Sequence, residues 1–162
     1  GTYTVLIQDA FIADDDVLAE DAAAFIPRIR QGFVLLQLGM GIGLARGVAT
    51  AMQSHAASRA NALALPLQPE HILEQADALQ MQAALLANNF ASPERSAFLQ
   101  VLSLRKDAAW LAMNAAQAGA LQAGAAGYIE GSDVHRRQRE ALFVGIVTPS
   151  IKHITTELAR EL

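Results

Sequence analysis

Cysteine is absent from the 162 residues of this chain, and aromatic residues make up only 6% of it. The lack of cysteine excludes a disulfide framework, thiolate metal sites and a cysteine nucleophile. Charged residues contribute only 17%, and the net charge of -4 creates no field that would attract nucleic acid or an anionic membrane. We therefore expect a cytoplasmic protein that binds neither nucleic acid nor a membrane.

Long hydrophobic runs are also missing. The longest, from Phe33 to Ala45, is interrupted by Gln37 and closed by Arg46. It is much shorter than the roughly 20 residues that a membrane span needs, so it predicts a buried core helix. The chain starts with Gly1, and no basic region followed by an apolar stretch comes after it. We expect a processed fragment or the remnant of a cleaved tag.

Hydrophobic residues make up 52% of the chain, and apolar side chains recur every three or four positions. This spacing predicts helices. The expected long helices run from Asp21 to about Ser58, from Pro69 to about Asn89, from a Ser92-Pro93 cap to about Ala123, and from Ser132-Asp133 to Thr148-Pro149. Thr148 is expected to cap a short final helix that Pro149 opens. This order of helices predicts an all-α protein, an antiparallel up-down four-helix bundle.

The first residues follow a different pattern. Tyr3–Gln8 is rich in β-branched and aromatic residues and predicts a strand, which leads into the acidic turn Asp14–Asp16. A lone strand is not stable, and the rest of the chain offers no partner strand. We therefore expect residues 1–20 to be the tail of a β-domain and residues 21–162 to form the helical domain.

The most informative motifs lie in the last third of the chain. A small-residue turn, Gly124–Tyr128, is followed by Arg139-Glu140 and then by Thr148-Pro149. Their order and spacing resemble the closing segment of the acyl-CoA dehydrogenases. The stretches Ala10–Leu18 and Gly43–Val48 are similar to the end of that family's β-domain and to its first bundle helix. The resemblance implies a C-terminal four-helix domain cut from a chain that would begin with a helical domain and a β-domain.

The resemblance also implies a cofactor, a substrate and an assembly. In that family the bundle binds FAD between the subunits of a homodimer or homotetramer, and the substrate is an acyl-CoA or a related small molecule. Gly124 and Ala125 stand where the family's backbone approaches the cofactor of the neighbouring subunit, which requires small residues. Ser150 stands where a hydroxyl contacts the cofactor. These three residues are the expected cofactor-binding residues.

The position of the family's catalytic base is occupied by Thr148 in this chain. A threonine cannot replace a carboxylate as a general base. Three hypotheses therefore remain open. The first is a dehydrogenase acting on the CH-CH group of an acyl-CoA thioester, with its base elsewhere. The second is a flavin-dependent monooxygenase of the same fold, and the third is a non-catalytic helical oligomerisation module.

Two further polar clusters are less specific. Glu70-His71 and Glu74 lack the second Glu-x-x-His repeat of a di-iron bundle, so we interpret them as a solvated helix start and expect no metal. The basic cluster from His135 to Arg139 could meet the phosphate of CoA or FAD, but pairing with Glu130, Asp133 or a neighbouring subunit is favoured. Arg139-Glu140 predicts an internal ion pair.

Overall fold

The structure is a computed structural model that describes residues 3–54 and 62–161. This part of the chain is all-helical, which confirms the prediction of an all-α protein. The helices are α1 (Ala22–Ser54), α2 (Pro69–Ala87), α3 (Arg95–Ala123), α4 (Asp133–Ile146) and α5 (Ile151–Ala159). Two short 3-10 turns, Asp14–Asp16 and Gly124–Tyr128, complete the described elements.

The core is built around the contact between α1 and α3. On α1, the buried residues recur every three or four positions, at Val34, Leu38, Ile42, Ala45 and Ala49. The facing surface of α3 is rich in buried alanine, which lets the two helices approach closely. They approach closely at Gly41 and Ala108, where an added Cβ on Gly41 would lie 2.6 Å from the Ala108 carbonyl oxygen.

The other helices pack around this pair, and α3 contacts all of them. The helix α2 contributes the buried Ile72 and Ala76 to the core shared with α1 and α3. The helix α4 packs Val144 against two alanines of α3, and α5 buries Ile154 against Val101 and Leu102 of the same helix. The long α3 therefore holds the described helices together.

Several predicted helix ends are confirmed. Pro69 is the first residue of α2. Ser132 caps α4, because its hydroxyl oxygen accepts a hydrogen bond of 3.1 Å from the backbone N–H of His135. For α1, the structure describes helix as far as Ser54, and the predicted extension to Ser58 lies outside the described residues.

Two predicted caps are wrong. Ser92-Pro93 does not cap α3, which begins at Arg95, because the Ser92 hydroxyl accepts from the Glu94 N–H, before the helix starts. Thr148 does not cap α5. That cap is Ser150, which has the extended backbone of an N-cap and accepts from the His153 N–H at 3.3 Å.

The strand predicted over Tyr3–Gln8 does not form in this structure. The described residues contain no strand that could supply the missing backbone hydrogen bonds, and a single strand cannot satisfy its own. Val5, Leu6 and Ile7 are each more than three-quarters exposed. The acidic stretch Asp14–Asp16 forms a 3-10 turn.

By length and composition, α1 is apolar enough to cross a membrane, which the sequence analysis did not anticipate. Of its most apolar 18-residue window, 44% is buried against the other helices. The core helix of a soluble protein passes the same test, so this is weak evidence for a membrane span.

Candidate functional site

The turn that follows α3 presents open backbone. Gly124 ends the helix with a positive φ of 59°, a conformation that favours glycine. An added Cβ on Gly124 would meet no atom within 4 Å. Gly124 and Ala125 are both exposed. These two predicted cofactor-binding residues can therefore be approached from outside the chain.

A cavity of about 580 Å³ lies beside this turn. It is enclosed by the C-terminal ends of α1 and α3, by the turn, and by the first residues of α4. Its walls are mainly apolar and include Val48, Met52, Ala116, Gly119, Ala123, Ala126 and Gly127. The polar residues at its edge include Gln122, Ser132, Asp133 and Arg137. Gly124 and Ala125 are next to the residues that form the wall but are not part of it.

Small residues allow the walls of the cavity to pack closely. An added Cβ on Gly127 would lie 2.9 Å from the Cβ of Ala123, and one on Gly119 would lie 2.9 Å from Cγ1 of Val48. Both distances are too short for real carbon contacts. The Ser132 hydroxyl also donates to the Gly127 carbonyl at 3.2 Å, which ties the turn to the start of α4.

The basic cluster at the start of α4 forms ion pairs within its own helix. Arg137 donates from Nε to Asp133 Oδ2 at 2.6 Å, and Arg136 bonds to both Asp133 and Glu140. Hydrogen bonds from Arg136 and then Arg137 lower the pKa of Asp133 below its usual range. The predicted pairing with Asp133 is confirmed. The cavity's edge thus carries an aspartate that is poorly suited to accept a proton.

Arg137 also contacts helix α1. The Arg137 guanidinium lies against Gly47 of α1, where an added Cβ would be 2.7 Å from Nη1.

The predicted Arg139-Glu140 ion pair is wrong, because Glu140 pairs with Arg136 instead. Residues four apart share a helix face, whereas adjacent residues point in different directions.

A second candidate surface lies at the other end of α4, where the Thr148-Pro149 peptide is cis. The Thr148 side chain is exposed, and its carbonyl accepts a hydrogen bond of 2.8 Å from Gln37 Nε2. Ser150 accepts the His153 N–H, which leaves its own hydroxyl hydrogen available to donate to another group. The site expected to hold a base thus offers hydroxyl groups.

Arg105 lies behind this turn. The sequence did not predict a role for its side chain. It is only 1% exposed, and it donates from Nε to Gln37 Oε1 at 3.3 Å and from Nη2 to the Val144 carbonyl at 2.7 Å. Its Nη1 is buried without a partner. Burial lowers the pKa of Arg105. The available signal was a charged residue at a position where the spacing of Val101, Leu104 and Ala108 indicates the apolar face of α3.

The two surfaces are not brought together within one chain. They stand at opposite ends of α4, whose 14 residues span about 20 Å. Gly124 and Ala125 therefore lie at one end, and Thr148 and Ser150 at the other.

In the described residues, no three His, Asp or Glu side chains are close enough to hold a metal ion. Comparison with protein-family models, with curated proteins and with solved structures finds no match for this chain. The resemblance of its motifs and the geometry of the two surfaces are what point to a function.

Proposed function

We propose that this chain is the C-terminal domain of an FAD-dependent, acyl-CoA dehydrogenase-like oxidoreductase acting on the CH-CH group of an acyl-CoA thioester. The observation that carries this proposal is the exposed turn at Gly124 and Ala125, next to an apolar cavity edged by Arg137. Open backbone, an apolar wall and a guanidinium together fit the nucleotide half of FAD. When bound, FAD would supply the acceptor for the substrate's hydride.

The antiparallel up-down arrangement of the bundle is part of this proposal. Gln37 contacts Thr148, whereas Gly47, later in α1, contacts the earlier Arg137. This reversed order supports opposite directions for α1 and α4. Between α1 and α3 the order is the same in both helices, since Gly41 meets Ala108 and the later Val48 meets Gly119. Parallel first and third helices, with an opposed fourth, are typical of an up-down bundle.

The separation of the two surfaces supports a homodimer or homotetramer. The resemblance assigns Gly124 and Ala125 to the cofactor of a neighbouring subunit, and Ser150 to a cofactor contact. We propose that the Ser150 contact is to the cofactor of its own chain. A distance of about 20 Å along α4 is compatible with that division of contacts. Each FAD would then be held by the turn of one chain and the Ser150 hydroxyl of another.

An exposed apolar face on α1 supports the proposal that the chain is part of a longer protein. Ile26, Ile29, Phe33 and Leu36 follow the helical spacing on the outer side of α1, and Leu36 is 81% exposed. Contiguous apolar surface of this kind marks a site of contact with other protein. We propose that the missing domains cover it, with residues 1–20 as the tail of the β-domain.

The catalytic base is the point on which the proposed reaction and its alternative differ. Thr148 cannot accept a proton near neutrality, and the pKa of Asp133 is lowered by its ion pairs. A dehydrogenase would have to take its base from the rest of the protein. A flavin-dependent monooxygenase needs no carboxylate at Thr148, so this residue favours that reaction as the second candidate. A purely structural oligomerisation module would bind no FAD at all.

The test is an anaerobic titration in which an acyl-CoA is added to the natural-length protein loaded with FAD. A dehydrogenase bleaches the flavin absorbance as hydride reaches the cofactor. A flavin that ignores acyl-CoA and reacts with oxygen only after reduction by another donor would support the monooxygenase and reject the dehydrogenase.

A further inference from the structure

Three polar groups form a continuous chain of hydrogen bonds from the buried Arg105 of α3 to the turn after α4. Arg105 donates to Gln37 Oε1 at 3.3 Å, and Gln37 in turn donates from Nε2 to the Thr148 carbonyl at 2.8 Å. The Arg105 side chain is 1% exposed and Gln37 is 7% exposed. The hydrogen bond between Arg105 and Gln37 is therefore buried, and the one between Gln37 and Thr148 is partly buried.

This arrangement is costly for the fold. A buried guanidinium without a carboxylate partner loses its hydration without the compensation of an ion pair. Among the described residues no acid forms a salt bridge with Arg105, and burial lowers its pKa. Its Nη1 also lacks an acceptor. An apolar side chain of similar volume would avoid these costs, so packing alone does not account for an arginine here.

The arginine does fix the orientation of one amide. The side chain of Gln37 has an acceptor and a donor that could exchange places by rotation. Arg105 can only donate, so Oε1 must face Arg105 and Nε2 must face Thr148. In this orientation the NH2 group of Gln37 faces the Thr148 carbonyl and donates a hydrogen bond to it. The second Arg105 bond, to the Val144 carbonyl, holds the last turn of α4 in the same place.

We propose that Arg105 and Gln37 are positioning residues for the Thr148–Ser150 turn, and that they set where the Ser150 hydroxyl stands. The inference rests on the proposed function in one respect, which is that Ser150 contacts the cofactor. The positioning itself depends only on this chain of hydrogen bonds.

A matched control is available on the same helix. Gln31 is also 7% exposed, and its Nε2 donates at 3.2 Å to the Asn89 carbonyl, which lies after α2 and is not part of the Thr148–Ser150 turn. In the natural-length protein, Gln31→Leu removes one partly buried hydrogen bond from a side-chain amide to a backbone carbonyl. Gln37→Leu removes one bond of the same kind and, in addition, the hydrogen bond from Arg105. Two measurements compare them: amide hydrogen exchange at residues 151–154, and the dissociation constant for FAD.

For Gln37→Leu we expect exchange at residues 151–154 to rise about ten-fold and FAD binding to weaken by a similar factor, because the hydrogen bond to the turn and its link to Arg105 are lost. Gln31→Leu should change neither. Arg105→Lys should preserve more of both properties than Arg105→Leu, since lysine keeps a donor.

Equal effects of Gln37→Leu and Gln31→Leu on exchange at residues 151–154 would overturn the positioning inference. A protein that binds no FAD in any variant would reject the proposed function instead. In that case hydrogen exchange would still decide whether Gln37 positions the turn.

Discussion

Arg30 and Glu157, 127 residues apart in sequence, form a salt bridge of 2.8 Å that joins the beginning of α1 to the end of α5. Arg95 of α3 donates to the same carboxylate at 2.9 Å. The Arg30 guanidinium also lies 4.6 Å from the centre of the Phe98 ring. The short last helix is thereby fastened to both long helices by one carboxylate.

This carboxylate should make stability depend on pH. Burial alone would raise the pKa of Glu157, but hydrogen bonds from Arg30 and Arg95 outweigh it and the pKa is lowered. Its contribution is therefore present above the ordinary glutamate pKa of about 4.3 and is lost as pH falls through the lowered value. Glu157→Gln should cost about 1 kcal/mol at neutral pH and progressively less at an acidic pH below about 4.3, measured by urea denaturation.

Glu161→Gln is the control for that experiment. Glu161 bonds to Arg95, but its side chain is 40% exposed, so its removal should have a smaller effect. If Glu157→Gln lowered stability equally at both pH values, the ion pairs would not be the cause.

Two glycines of α1 should respond in opposite ways to alanine. Gly41→Ala would place a Cβ 2.6 Å from the Ala108 carbonyl and should destabilise the chain by about 1–3 kcal/mol. Gly43→Ala meets no atom within 4 Å and should stabilise the helix by about 0.5–1 kcal/mol. Thermal unfolding of the two variants measures both effects. A stable Gly41→Ala variant would contradict the close contact between α1 and α3.

Gly124 and Gly131 form a matched pair for cofactor binding. Both have positive φ, 59° and 84°, and neither would clash with an added Cβ. Alanine at either position should therefore cost backbone strain, on the order of 1–3 kcal/mol at Gly124, where φ is 59° and ψ is -142°. Only Gly124→Ala should weaken FAD binding, by about ten-fold, because its Cβ would stand between backbone and cofactor. Equal losses of FAD affinity in both variants would show that the Gly124 turn is not part of the binding site.

The exposed face of α1 should drive self-association of this chain when it is purified alone. Leu36→Ser should reduce the apparent mass by light scattering at high micromolar concentration, with little change in thermal stability, because Leu36 is 81% exposed. Leu63→Ser, at a 69% exposed position outside α1, is the control. A monomeric parent chain would contradict this prediction.

The spacing of apolar residues was sufficient to predict the helices but not the residues at which they begin and end. The apolar spacing in α1 and α3 predicts helices because burying one face stabilises them wherever they pack. Caps depend on local hydrogen bonds, and for α5 the choice between Thr148 and Ser150 depends on backbone angles that sequence does not give. The strand at Tyr3–Gln8 was predicted from propensity, yet a strand needs a partner strand, and the described residues contain none.

For the candidate site, residue types predicted the turn but not its support. Small residues at Gly124 and Ala125 indicate close approach, and the structure leaves both exposed. The buried Arg105 and its bond to Gln37 join positions 68 residues apart. Only the packing of α1 against α3 brings them together, so no local pattern could reveal them.

The central claim is that this chain belongs to a flavoprotein, and the absorbance spectrum of the natural-length protein, purified from its source, tests it most directly. We predict the near-ultraviolet and blue bands of bound FAD, released on denaturation in amounts comparable to the protein. A colourless protein that also fails to take up added FAD would contradict the claim and leave a helical domain without this cofactor.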